Sequence, residues 1–110
     1  MSITIKLLKA DVLTSTADAD FYTVPSTATG GAIISNIRIV NTGGTTKKVN
    51  MNYRSSGGTV VKIIERDKQV AAGDLVVVAP ELTLAANDII EAWGESGSTF
   101  DCVVSGIERS

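Results

Sequence analysis

Hydrophobic residues recur at every second position through most of this chain. In residues 32–41, Ile33, Ile37 and Ile39 share a parity with Ser35; in residues 47–54, Val49, Met51 and Tyr53 alternate with Lys48, Asn50, Asn52 and Arg54. A period of two belongs to strands with one buried and one solvated face. Between the two runs lies Thr42-Gly43-Gly44-Thr45-Thr46, and paired glycines supply the positive φ angles of a tight turn. The pattern predicts a β-hairpin over 32–54 with Lys48, Asn50, Asn52 and Arg54 on its outer row. On that facing Ile39→Asp abolishes soluble folding, whereas Asn50→Asp is nearly silent.

Around this element the same alternation marks further strands. Residues 3–8 (Ile-Thr-Ile-Lys-Leu-Leu) read as a first strand, and 9–20 as an exposed, loosely structured connection. Residues 21–24 form a strand that stops at Pro25, which has no N–H for a ladder. Thr59 to Glu65 is rich in β-branched residues, which suit strands. Glu65-Arg66-Asp67-Lys68 is a charged break, and 69–73 reads as a short turn ending at Gly73. Leu75-Val76-Val77-Val78 is continuously apolar, as in a strand buried on both faces. Leu82 and Leu84 alternate with threonine, Ala85-Ala86-Asn87-Asp88 is a turn, and 89–93 and 100–107 are the last strands.

No segment carries a 3.6-residue period over ten or more positions. Eight or nine short strands at intervals of about ten residues define an all-β chain, an antiparallel β-sandwich with jelly-roll-like or Greek-key connections. The expected core is Ile37, Ile39, Val49, Met51, Tyr53, Val61, Ile63, Val77, Leu84, Ile90, Ala92, Cys102 and Val104. Residues 1–20 form an N-terminal strand and arm; residues 21–110 form the β-sandwich domain.

Composition narrows the function classes. The chain has 110 residues, 44% hydrophobic and 20% charged, with a net charge of −2. This suits one domain with an ordinary core. Its basic residues are scattered, with Lys47-Lys48 the one adjacent pair, so no nucleic-acid surface is expected. The longest apolar run, Leu75 to Pro80, is too short to cross a bilayer, and no signal peptide or membrane partner is expected. The lone Cys102 lies in an apolar run and reads as a buried hydrophobe, with an intermolecular bridge or reactive thiol as the alternatives.

Candidate chemistry is thin. With no histidine, the usual triads and histidine metal sites are missing. Gly94-Glu95-Ser96-Gly97-Ser98 falls one residue short of a nucleophile elbow and lacks its strand-to-helix setting. Asp18-Ala19-Asp20 carries only part of a calcium-loop pattern. Glu91 and Glu95 are a conceivable acid/base pair, but alternation sets Glu91 on the outer face. Neither enzymatic activity nor a cofactor or metal is expected. Trp93 has three readings: a sugar platform, a protein-interface anchor or the edge of the core.

Four stretches together carry a family resemblance. They are Phe21-Tyr22-Thr23-Val24-Pro25; Ile37-Arg38-Ile39-Val40-Asn41-Thr42-Gly43; Leu82-Thr83-Leu84-Ala85-Ala86-Asn87-Asp88-Ile89-Ile90-Glu91; and Val103-Val104-Ser105-Gly106-Ile107-Glu108. The chain resembles the small all-β structural modules of tailed-bacteriophage virions over about residues 21–108. Asn87 stands where glycine is common; asparagine also tolerates the left-handed region.

The resemblance implies a non-enzymatic virion protein, made in the host bacterial cytoplasm. A capsid decoration (cement) protein that stabilises the head shell is the leading expectation. It implies the major capsid protein or other virion proteins as partners, and a homo-oligomer, with a trimer favoured. A tail, neck, baseplate or fibre accessory module is the alternative, and a carbohydrate-binding sandwich using Trp93 and Tyr22 is the alternative of another class. Candidate interface residues are Ile3, Ile5 and Leu7 on the first strand, which can add to a neighbour's sheet edge, with Trp93 and Tyr22.

Overall fold

The computed structural model describes residues 3–109, with side chains from Leu7 onward. Ten strands occur among these residues: β1 (Ile3–Val12), β2 (Asp20–Thr23), β3 (Gly31–Asn41), β4 (Lys47–Arg54), β5 (Val60–Lys62), β6 (Lys68–Val70), β7 (Leu75–Val78), β8 (Leu82–Leu84), β9 (Ile89–Gly94) and β10 (Phe100–Arg109). They form two antiparallel sheets. Sheet A runs β1-β10-β3-β7, with β8 also on β3; sheet B runs β2-β9-β4-β5, with β6 also on β4.

Each pair of short strands shares one neighbour. β7 and β8 pair successive parts of β3, and β5 and β6 pair successive parts of β4. Each pair therefore acts as one interrupted strand, and the ten segments occupy eight positions. In chain order these positions are 1-8-3-6 in one sheet and 2-7-4-5 in the other, which is the jelly-roll arrangement. The expected all-β antiparallel sandwich is what the chain forms.

The predicted hairpin is not formed. β3 and β4 lie in different sheets, so residues 42–46 arch from one sheet to the other. Gly43 and Gly44 are not among the positive-φ residues. The corner is shaped instead by Asn41, fully buried. Its Nδ2 donates to the carbonyls of Thr45 and Val70, both at 2.9 Å, and its Oδ1 accepts the Gly43 N–H. These bonds replace the ladder partners that a chain leaving its sheet gives up.

The facing within each strand follows the alternation except in β3, where the register shift at Ser35 turns Ile34 inward and leaves Ile33, expected on the face of Ile37 and Ile39, half-buried in an outward row. Ile34, Ile37, Ile39, Leu84, Cys102 and Val104 of sheet A meet Tyr22, Val49, Met51, Ile90 and Ala92 of sheet B, and Phe100 is buried with them. A buried aliphatic side chain contributes about 1.5–3 kcal/mol. Tyr53 and Ile63 are half-buried against this core. Val61 and Val77 are corrections: they are 54% and 50% exposed. Val77 stands beside Arg38 in an outward row of sheet A, whereas Val61 shares the face of Tyr53 but lies on the short edge strand β5.

Three local expectations change. β1 does not end at Leu8 but pairs with β10 as far as Val12, past a bulge between Leu7 and Lys9, and Leu13 is buried beyond it. Residues 68–70 are strand β6 rather than part of a turn. Of the run 75–78, only Val76 and Val78 pack on the core.

Two sequence features hold the ends of the sandwich. Asn87 takes φ 71°, the left-handed conformation expected of it, and Asp88 beside it is a hub. Its Oδ1 accepts the Ser56 N–H, and its Oδ2 accepts the Tyr53 hydroxyl and the Ala85 N–H, each at 2.9 Å. Burial alone would raise this carboxyl; the amides of Ser56 and Ala85 and the Tyr53 hydroxyl hold it below its usual value. Gly106 sits where the β10–β3 register shifts. A Cβ there would lie 2.0 Å from the Ile33 carbonyl oxygen, so only glycine lets the strands approach.

Candidate functional site

The outer row of β4 faces away from the core, as the alternation predicts, but it is not a plain solvent face. Asn50 and Asn52 are buried. Across the ladder they stand opposite Trp93 and Glu91 of β9. Two loops reach over this face. The β1–β2 connection lays its backbone along β9, where Ala92 N–H donates to Ala19 O and Gly94 N–H to Thr14 O. From the β5–β6 connection, Asp67 exchanges two 3.0 Å bonds with the Asn50 side-chain amide.

Beneath these loops is an ion-paired cluster. Glu91 Oε2 lies 2.9 Å from Arg54 Nε, and the Arg54 guanidinium also reaches Asp20 at 2.7 Å. The Asn52 amide donates to Glu91 Oε1 at 3.3 Å, while its own Oδ1 is buried without a partner among the described residues. Burying a carboxylate is costly unless it is paired and hydrogen-bonded; Arg54 and Asn52 meet that need.

Beside the cluster opens a cleft of about 370 Å³ lined by Asp18, Asn50, Lys62, Arg66, Asp67 and Trp93, with Ala17 at its edge. That volume lies within the range of small-ligand sites, roughly 300–1,000 Å³. Asp18 and Asp67 both have positive φ, 60° and 53°, which turns the two loops toward the opening. The Asn50 hydrogen bond holds the Asp67 carboxyl below its usual value against the opposing effect of burial, and Lys48, Arg66 and Lys62 add to the lowering. Lys62 Nζ stands 5.4 Å from the centre of the Trp93 ring, a cation–π contact that covers one ring face.

Sheet A presents a different surface. Register places Val12, Asp101, Val40 and Leu75 in one outward row, and Ala10, Val103, Arg38 and Val77 in the next. Leu7 and Ser105 follow, then Ile107 and Ile33. Leu7, Val12, Leu75 and Val77 are 58%, 55%, 42% and 50% exposed. Arg38 and Asp101 are exposed within the two full rows, one charge of each sign. Among the described residues, no loop bonds across these rows.

The five candidate interface residues do not come together. Leu7 is on the outer face of sheet A, and Trp93 is half-buried in the cleft on sheet B. Tyr22 is a correction: it is 6% exposed, so it offers no stacking or interface surface. Its hydroxyl donates to Glu108 Oε2 at 2.5 Å and ties β2 of one sheet to β10 of the other. Burial, with the Glu108 hydrogen bond and charge, pushes the phenol well above its usual value. The side chains of Ile3 and Ile5 lie outside the described residues.

The remaining candidates resolve plainly. Cys102 is fully buried, and desolvation pushes its thiol up to about 12, so in the folded chain it is a core side chain rather than a bridge or nucleophile. Glu91 is engaged by Arg54 and Asn52, whereas Glu95 Oε1 accepts the Lys48 N–H at 2.7 Å; the two carboxylates serve separate structural bonds. Asp20 is held by Arg54 while Asp18 lines the cleft. No group of three or more metal-ligating side chains occurs among the described residues.

The chain matches no protein-family model and no curated protein sequence.

Sequence reasoning missed the two outer faces. For sheet A a signal was present: Ile33-Ile34, Ile39-Val40, Val76-Val77 and Val103-Val104 each place apolar residues on both parities. For sheet B there was none, because the loops that cover Asn50 and Glu91 are remote in sequence.

Proposed function

We propose that this protein is a non-enzymatic structural component of a bacteriophage virion, a capsid decoration protein that binds the head shell and stabilises it. The carrying observation is the ten-residue strand β1 at the border of sheet A. Its outer edge is not paired within the described chain, and such an edge is a template for strand addition by a neighbour. Residues 3–7, which carry the candidate interface positions Ile3, Ile5 and Leu7, pair with β10 in unbroken register up to the bulge after Leu7. The Tyr22–Glu108 bond and the Asp88 hub hold the strand's own sandwich shut, which a cementing module requires. The motifs that carry the phage resemblance form the β2 strand, the Asn41 arch, the Asp88 turn and the Gly106 approach, so they account for specific structure in this chain.

The test mixes purified protein with expanded shells that lack it. Saturable binding at fixed stoichiometry and a raised shell melting temperature are expected, with major capsid protein as the partner. Removing residues 1–6 should weaken attachment while circular dichroism stays that of the folded sandwich. Unchanged attachment rejects the edge as the clamp, and labelling of the tail in place of the head moves the protein to a tail or neck role.

A carbohydrate-binding sandwich is the second reading, and the Trp93 cleft is the observation in its favour. Against it, Tyr22 is buried and Lys62 covers one face of the indole. Glycan binding that disappears in Trp93→Ala would select that reading.

A further inference from the structure

We infer that the outer face of sheet A is the contact between two copies of this chain, packed face to face about a two-fold axis. This goes beyond attachment to a shell, which uses the edge of β1 rather than its face. The first argument is extent. Four strands at about 4.8 Å spacing and about 3.3 Å per residue along ten residues give a face of roughly 600 Å² in projection. Side-chain relief brings that toward the roughly 800 Å² per partner of a stable interface. Leu7, Val12, Leu75 and Val77 stand out from it at 42–58% exposure, and exposed apolar side chains grouped on one face, with polar residues between them, mark a contact region.

The second argument is charge. Arg38 and Asp101 are the two charged residues in the two full rows, and they are offset by one row on neighbouring strands. Place a two-fold axis along the strand direction between β10 and β3. Each Arg38 then lies over the partner's β10, opposite the partner's Val103 and one row from the partner's Asp101. The same operation brings each Asp101 over the partner's β3, so both ion pairs form at once. A two-fold interface requires such self-complementarity. A threefold ring would instead have to match this face to a different one. Two sheets meeting this way pack about 10 Å apart, a distance that an arginine and an aspartate span.

Sedimentation equilibrium of the full chain from 1 to 200 μM tests this. Wild type should give a concentration-dependent dimer. Arg38→Glu and Asp101→Arg should each weaken dimerisation by at least about tenfold, since each puts like charges together. A one-to-one mixture of the two variants should dimerise again, because the glutamate of one then meets the arginine of the other; restored pairing within a single chain could not produce this. A monomer throughout, a trimer, variants that dimerise like wild type, or a mixture that stays monomeric would each overturn the inference. Shell binding read on the same samples separates the two proposals: a monomer that binds shells refutes this contact alone, and a dimer that ignores shells refutes the shell reading alone. Loss of shell binding in Val77→Asp, with wild type monomeric, would assign the face to the shell instead.

Discussion

Sheets A and B supply inner faces of the same kind, alternating aliphatics that meet in one core, but their outer faces are built on different terms. On sheet B the outward row is Asn50, Asn52 and Arg54 against Trp93 and Glu91, and two loops close over it. On sheet A the outward rows are Val12, Val40, Leu75, Val103 and Val77 around one arginine and one aspartate, and among the described residues no loop is hydrogen-bonded across them. The polar face is bridged by its own loops, which leave one cleft beside Trp93, and the apolar face has no such bridge among the described residues. A bridged polar face must be satisfied internally, so its loops are ordered by hydrogen bonds and ion pairs. An open apolar face gains from being covered by something outside the chain. The difference teaches where stability and where association reside.

If that division holds, the largest loss of stability comes from sheet B. Arg54→Leu removes the cation beside Glu91 and leaves a buried carboxylate with only Asn52 for support. Stranding one member of a buried pair costs about 3 kcal/mol, readable as a lower urea midpoint. A variant as stable as wild type would show that the face is wet and the ion pair incidental.

Next in size is Asn50→Asp, the substitution that alternation alone marks as silent. Asn50 is buried and its amide both donates to and accepts from Asp67. A carboxylate there loses the donated bond and faces a second carboxylate, at a cost of about 2 kcal/mol at neutral pH. The penalty should shrink in acid. A carboxyl pair in the folded state holds its shared proton more tightly than in the unfolded chain, so the lost stability returns as pH falls from the raised folded value toward the usual carboxylate range and is complete below it. A penalty independent of pH would put the fault in packing rather than charge.

These two cases also mark how much was legible in the sequence. The period of two sets which side of each strand faces the core, and Ile37, Ile39, Val49, Met51, Ile90, Cys102 and Val104 are buried accordingly. The period does not say which strand lies beside which. Gly43-Gly44 suggested a tight turn, yet Asn41 bends the chain into an arch between sheets, and only the long-range partner Val70 reveals it. Nor does alternation say whether an outward residue meets water or a loop: Asn50 is covered by residue 67, seventeen positions away. For the same reason Trp93 was legible as a candidate while its cleft, made from residues 17, 18, 62, 66 and 67, was not.

Smaller again is the link that both faces depend on. Tyr22→Phe deletes the hydroxyl that joins β2 to Glu108 across the sandwich, a hydrogen bond to a charged group worth about 1.5 kcal/mol. The folded-state phenol is raised above its usual value of 10.0. Its contribution is therefore complete below pH 10 and is lost as pH climbs through the folded value. Wild type should weaken in alkali, and Tyr22→Phe should weaken less. Tyr53, raised by burial and by Asp88, keeps part of that slope. Identical alkaline limbs would mean that Tyr22 does not bridge the sheets in solution.

The smallest effect on the monomer, and the one that bears most on the comparison, belongs to sheet A. Leu75→Ser alters a side chain that is 42% exposed on a short edge strand, where surface changes usually stay within about 0.5 kcal/mol. At 1 μM its thermal midpoint should match wild type. At 100 μM the two should part: a protein that associates only when folded gains stability by mass action, so the wild-type midpoint rises with concentration while that of Leu75→Ser stays flat. If instead Leu75→Ser unfolds early at every concentration, the open face contributes to the monomer's own stability. Association and folding would then share sheet A, and the division between a bridged polar face and an open apolar one would fail at its apolar half.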